Sequence, residues 1–412
     1  MANHPFTYQP LPVRVVFGPG RRQQLAAEAQ RLGLKRVLVL STPGQANTAE
    51  HLAALLGGLA AGTFSGATMH TPTDVTEQAL RVVHDLNADG VVAIGGGSAT
   101  GLSKAIARRT GLPQIILPTT YAGSEMTPVL GETSGGRKTV IRDQAVLPKT
   151  VIYDVELTLT LPPAVSASSG MNALAHAAEA LYAHNGNPLV SVLAEEAIRA
   201  LGQSLPRIRH SPQDLEARSQ ALSGAWLAGS VLGSVDMALH HKLAHVLGGT
   251  FILPHAELHA ALLPHTLAYN AQAAPEAMNR IARALGRPDE GGPDPTGRNA
   301  PQLVAELNRR LGIESALKNL GLPEAGLDEA TTLALQNPYA NPTPWNARPC
   351  ANCFSGPGAG RRPGNPRRLL ETPHDSGADH AIPVARTTEG AAHSFPGSTA
   401  RRPDWGFPES SV

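Results

Sequence analysis

Cysteine is nearly absent: the chain of 412 residues has two, Cys350 and Cys353, both late in the sequence. This excludes a disulfide framework, leaves the body of the protein without a thiol nucleophile, and fits a reducing, cytoplasmic setting. Charge is also scarce. Charged residues make up 16% of the chain and the formal net charge is +1, so no long-range field marks a nucleic acid or a membrane surface as a partner. No apolar run is long enough to cross a bilayer. The opening MANHPFTYQPLPVRVVFG has no basic segment followed by an apolar one, so no signal peptide is expected. A chain of this length is expected to hold two domains.

The first 160 residues alternate between short apolar runs and amphipathic stretches. Val13–Phe17, Arg36–Leu40, Gly90–Ile94 and Gln114–Leu117 resemble strands buried in a parallel sheet, with Gly66–His70 a shorter candidate. Between them Arg21–Leu32, Ala49–Leu59, Asp74–Leu86 and Leu102–Arg109 have helical spacing. This alternation specifies an α/β domain with a doubly wound parallel sheet, which binds ligands at the carboxyl ends of its strands. Two loops stand at such ends. Gly95-Gly96-Gly97-Ser98 lets the backbone approach a pyrophosphate, with the Ser98 hydroxyl as a donor. Pro118–Thr127 is crowded with hydroxyls, among them Thr119, Thr120 and Ser124, that suit ribose and phosphate. Together they favour a dinucleotide over two structural turns. Ser41 and Thr42 end the second strand, where a carboxylate would bind the adenosine 2′-hydroxyl and repel a 2′-phosphate. With no carboxylate there, NADH and NADPH are both expected to be accepted.

From Pro162 the apolar spacing becomes helical over Ala164–Tyr182, Pro188–Leu205, Leu215–Leu232, Ser234–Leu247, Ala256–Ala273, Ala274–Leu285 and Pro301–Leu311. Residues 1–160 are thus expected to form the nucleotide-binding α/β domain and 161–345 an all-helical catalytic domain. Leu239–Asn270 holds six of the sixteen histidines: His240, His241, His245, His255, His259 and His265. His241 and His245, four apart, share one helix face. Gly248-Gly249 is expected to break that helix and Pro254 to open the next. Asn172 and His176 lie one turn apart on the first helix, so Asn172, His176, His241 and His255 can form one pocket. Such convergence serves metal binding or proton transfer.

Four stretches, GGGS (Gly95–Ser98), PTTYAGSEMT (Pro118–Thr127), SGMNALAHAAEAL (Ser169–Leu181) and HHKLAHVLGGTFILPHAELHAALLPHTLAYN, resemble in order the motifs of the iron-containing alcohol dehydrogenase family. The likeness runs from about Phe6 to about Pro349. It implies a nucleotide-binding α/β domain, an all-helical domain of the dehydroquinate synthase-like kind, an active site in the cleft between them, and a homodimer. Metal-dependent members bind their ion through an Asp and three His, and the matching positions here are Asn172, His176, His241 and His255. A neutral amide is a poor ligand for a hard divalent cation. Gly101 stands where many relatives have Asp, and Ala256 where they have Gly. These departures are similar to a branch regarded as metal-free, which reduces the carbon–carbon double bond of a small enone dicarboxylate with NADH or NADPH. No metal, iron or zinc, is therefore expected to be required; if one binds, His176, His241 and His255 are its ligands.

In that branch the enzyme must supply a donor at the ketone oxygen and a proton for the adjacent carbon. These tasks are assigned to His241 and His245, with Lys242 as a contributor. Tyr121, Asn172, His176 and His255 are expected to line the substrate pocket. Arg137, Lys138 and Arg142 lie in a hairpin-like stretch and offer cations to the substrate's carboxylates, while by resemblance Lys138 and Thr127 also match cofactor contacts. The competing readings are a metal-dependent alcohol dehydrogenase and an inactive nucleotide-binding relative.

After Asn337-Pro338-Tyr339 the composition changes. Cys350–Val412 is rich in Pro, Gly, Arg and Ser, lacks apolar periodicity and reads as disorder. Its C-x-x-C is a weak zinc or redox signal. Codons for Cys-Ala-Asn-Cys-Phe, read one base earlier, allow Leu-Arg-Glu-Leu-Leu, which suits an amphipathic helix, so a frameshift near Pro349 is expected.

Overall fold

A computed structural model of the chain describes residues 5–135, 137–286, 299–323 and 326–345, with Arg137, Lys138 and Leu327 described by backbone alone. The frameshift and C-x-x-C expectations lie outside the described residues. The strands among these residues are β1 (Arg14–Gly18), β2 (Val37–Leu40), β3 (Ala60–Phe64), β4 (Gly90–Gly95), β5 (Gln114–Pro118), β6 (Val129–Ser134), β7 (Arg137–Arg142) and β8 (Thr150–Asp154). In the first half the helices are α1 (Leu25–Arg31), α2 (Ala46–Leu56), α3 (Thr73–Asp85) and α4 (Gly97–Thr110). Then follow α5 (Pro163–Ala180), α6 (Pro188–His210), α7 (Leu215–Ser234), α8 (Leu239–Thr250), α9 (His255–Asn270), α10 (Pro275–Leu285), α11 (Ala300–Leu311) and α12 (Gly326–Leu335).

Six strands form a parallel sheet in the order β1-β8-β5-β4-β2-β3, and β6 and β7 pair as a separate antiparallel hairpin. Strands β2, β4, β5 and β8 are buried at every position, because helices cover both faces of the sheet. Alternation divides their side chains. Val37, Val39, Val92 and Ile94 pack with Leu25 and Leu52 of α1 and α2. Leu38, Leu40, Val91 and Ala93 face Ala79, Val83, Leu102 and Ile106 of α3 and α4. This second core continues into the helical half, where α5, buried from Ser166 to Ala180, is packed against α6, α7 and α9.

Two sequence expectations need correction. The strand expected at Gly66–His70 is β3, six residues earlier; AAGTF is only half-buried and weakly apolar, so it gave little signal. β8 and α12 carried no sequence expectation. The helix holding His241 does not break at Gly248-Gly249: neither glycine adopts positive φ, α8 runs on to Thr250, and the chain turns at Ile252, with φ of 55°.

The two halves touch where α7 meets the loop after β5. A Cβ added to Gly229 would lie 2.3 Å from the carbonyl oxygen of Gly123, and one on Gly233 would lie 2.6 Å from that of Met126. Four residues apart, the two glycines share a helix face and let backbone meet backbone. Gly229→Ala is therefore expected to lower stability by about 1–3 kcal/mol through overpacking. Denaturant unfolding reads this directly, and an unchanged midpoint contradicts the tight contact.

Candidate active site

Strand β4 ends on Gly95, whose φ of 145° turns the chain, and α4 starts two residues later at Gly97. The free N–H groups of a helix start therefore face the end of the sheet. Gly97 is open above: a Cβ added there would meet no atom within 4 Å, whereas Gly95 and Gly96 are crowded by Gln45 and Thr120. A cleft of about 770 Å³ opens here. From the sheet half it is lined by Gly97, Ser98, Thr120, Ser124 and Thr127, and from the helical half by Asn172, His176, His241, His245 and His255.

Helix α5 carries three of the site's groups on one face, Asn172, His176 and Glu179, at helical spacing. Glu179 is fully buried. Among the described residues its carboxyl oxygens face donors only: the backbone N–H of Ala238 at 2.9 Å and of His240 at 2.7 Å, and His241 Nδ1 at 2.6 Å. It is thus a carboxylate that caps the start of α8 and binds the imidazole carried there. His241 Nε2 lies 2.7 Å from His176 Nδ1, and His176 Nε2 lies 3.2 Å from the Ala122 carbonyl oxygen. A carbonyl only accepts, so His176 Nε2 carries its hydrogen and, in a neutral ring, Nδ1 accepts. His241 Nε2 then donates to His176, and His241 Nδ1 stays on the Glu179 carboxyl. Burial first, then neighbouring imidazoles, push His176, His240 and His259 well below the ordinary histidine value. These three are neutral, and His241 is the ring of the row that faces a carboxyl group.

Behind this row, His259 Nδ1 bonds His240 Nε2 at 2.9 Å, and His240 Nδ1 bonds Thr266 Oγ1 at 3.1 Å. His255 stacks edge-on against His259, with centroids 4.5 Å apart. Below the hydroxyl-rich loop, Lys104 is buried with Nζ donating to the carbonyls of Ser124, Thr127 and Val129 at 2.6–2.9 Å. Burial pulls its ammonium down to about 7, against the pull of Glu125. Lys104 is therefore the pin that holds the loop's shape.

Sequence-predicted residues divide clearly. Gly97, Ser98, Thr120, Ser124, Thr127, Asn172, His176, His241, His245, His255 and Arg142 line the cleft. Gly95, Gly96 and Thr119 do not line it but shape its floor, with Thr119 N–H donating to the Gly95 carbonyl and Thr119 Oγ1 accepting from Gln45. Ser41 is buried, its hydroxyl on Ser65, which leaves Thr42 as the half-exposed residue of that pair. Tyr121, expected in the substrate pocket, is instead fully buried beneath α7, its hydroxyl bonded by Arg218 at 3.2 Å. Lys242 does not line the cleft; its ammonium sits 5.7 Å from the Tyr339 ring centroid. The side chains of Arg137 and Lys138 lie outside the described residues. Sequence reasoning missed Glu179, Lys104 and Tyr339.

Residues 12–155 match the iron-containing alcohol dehydrogenase family, and 166–354 match that family's C-terminal domain. This chain belongs to the iron-containing alcohol dehydrogenase family. It is 54% identical to a maleylacetate reductase of Sphingobium indicum over 82% of this chain and 93% of that one. The crystal structure of maleylacetate reductase from Agrobacterium tumefaciens is 50% identical, with a TM-score of 0.80 over 85% of this chain and 97% of that one. Sulfoacetaldehyde reductase from Bifidobacterium kashiwanohense, crystallised with NAD+, is 25% identical, with a TM-score of 0.77 over 85% and 98%.

The family's metal positions, by the resemblance of motifs, are Asn172, His176, His241 and His255. They do not fit a divalent cation here. The carboxylate is an amide, and the nitrogens of His176 and His241 are already committed to each other, to Ala122 and to Glu179. A dinucleotide fits better. Among the described residues, Ser124 Oγ and Asn172 Oδ1 are buried atoms of the cleft wall without a protein partner, and such groups are costly unless a ligand pairs with them. Glu179→Gln is expected to lower kcat by about 10²–10³-fold with little change in KM for the nucleotide. Steady-state kinetics of the folded variant, verified by circular dichroism, check this; wild-type kcat contradicts a part for the Glu179–His241 contact in turnover.

Proposed function

We propose that this protein is a maleylacetate reductase, reducing the carbon–carbon double bond of maleylacetate to give 3-oxoadipate at the expense of NADH or NADPH. Kinship to maleylacetate reductases sets the substrate class. The observation that carries the chemistry is the buried Glu179–His241–His176 chain beside the glycine cradle. It provides a buried imidazole N–H held in place beside the cleft by a carboxyl group.

In this reading Gly97 and Ser98 at the start of α4 hold the diphosphate, and Thr120, Ser124 and Thr127 hold the ribose and carboxamide end. A reduced nicotinamide bound there supplies the hydride. As hydride reaches the alkene carbon, charge moves onto the ketone oxygen. His241 stabilises it by turning its Nε2–H from His176 to that oxygen while Nδ1 stays on Glu179. His245 lies on the same helix face one turn on and serves the adjacent carbon. The Asn172 amide nitrogen, as a donor, and His255 orient the enone. No carboxylate ends β2, and this supports use of both nicotinamides. Metal independence, a homodimer, a cytoplasmic location, a domain boundary near residue 160 and a frameshift near Pro349 belong to the same proposal.

One assay tests it. Maleylacetate is expected to be consumed with either reduced nicotinamide at a rate that chelator leaves unchanged, with no oxidation of propanediol. Loss of rate on chelation and its return with ferrous or zinc ion support the alcohol dehydrogenase reading, and nucleotide binding without turnover supports an inactive relative.

A further inference from the structure

After α12 the chain reverses at Asn337, with φ of 51°, and runs back across the helical half as a short strap. Asn341 pins it. Its Oδ1 accepts from Leu239 N–H at 3.3 Å and Asn270 Nδ2 at 3.0 Å, and its Nδ2 donates to Asn270 Oδ1 at 2.8 Å and to the Thr343 carbonyl at 2.7 Å. Trp345 Nε1 donates to the Tyr339 carbonyl at 2.8 Å, and the Tyr269 hydroxyl donates to that of Pro344 at 2.6 Å. Fixing the strap this firmly costs conformational entropy, and what the strap presents is Tyr339. Its ring lines the cleft, its hydroxyl stands 3.3 Å from His245 Nδ1, and the Lys242 ammonium lies 5.7 Å from its centroid.

A phenol beside an imidazole and under an ammonium is a donor in a locally positive setting. The cation over the ring draws electron density from it and offsets an approaching negative charge. Burial raises the Tyr339 hydroxyl above its ordinary value, so it keeps its hydrogen at neutral pH. Arg142 spends its guanidinium on the Gly233 carbonyl at 3.1 Å. We propose that Tyr339 is a specificity-determining residue whose hydroxyl donates to the carboxymethyl carboxylate of the substrate beside His245, a reading that rests on the enone reduction above. Lys242 then acts from behind the ring, which gives it a part without a place in the cleft wall.

The test compares maleylacetate with 4-oxopent-2-enoate, which keeps the enone and one carboxylate but has a methyl in place of the carboxymethyl group. Tyr339→Phe is expected to raise KM for maleylacetate about tenfold, the worth of one hydrogen bond to a charged group. KM for the monocarboxylate and for the nucleotide should stay within about twofold. Asn341→Ala, which loosens the strap and keeps the phenol, should move KM for maleylacetate in the same direction. Equal shifts for both enones, or none, overturn the inference while the reductase reading stands. Wild-type protein that binds the nucleotide and turns over neither enone overturns both.

Discussion

The site depends on one carboxylate placed where water cannot reach it. Glu179 satisfies the free N–H groups at the start of α8 and the ring of His241 together. Burying a carboxyl group is unfavourable unless it is hydrogen-bonded, and here the helix start and the His241 ring meet that condition. Helix stability and the orientation of the reacting imidazole therefore share one group. Because the pair is fixed before any ligand arrives, little reorganisation is left for the moment when charge moves.

Placing these groups requires both halves of the fold. The sheet supplies a glycine-lined helix start at the end of β4, and Lys104 fixes the neighbouring loop from below. Ala122, in that loop, supplies the carbonyl that sets the tautomer of His176. One end of the proton chain is thus anchored in the nucleotide half and the other in the helical half.

Much of this was legible in the sequence, for identifiable reasons. Apolar runs such as VLVL and QIILP are strands because both faces are buried, and their composition says so. The i, i+4 spacing of His241 and His245 correctly put both on one face of α8, and both line the cleft. Other features were hidden by their type. Glu179 sits in an Ala-rich helix where a lone carboxylate looks like a solvated surface group, and Lys104 follows helical spacing like any exposed lysine. Tyr121 stands in a hydroxyl-rich loop, yet its partner Arg218 is 97 residues away, a distance no local pattern conveys. Gly248-Gly249 resembled a stop signal, but a glycine pair ends a helix only if it takes up left-handed geometry, and here Ile252 does so.

The close approach of Gly229 and Gly233 to the loop after β5 bears on how ligands come and go. A seam made of main chain has no rotamers to rearrange and no slack to compress, so that wall of the crevice acts as a fixed datum. Elsewhere along the cleft Met69, Val140 and Val165 stand exposed and apolar, a greasy threshold for any charged ligand that passes them.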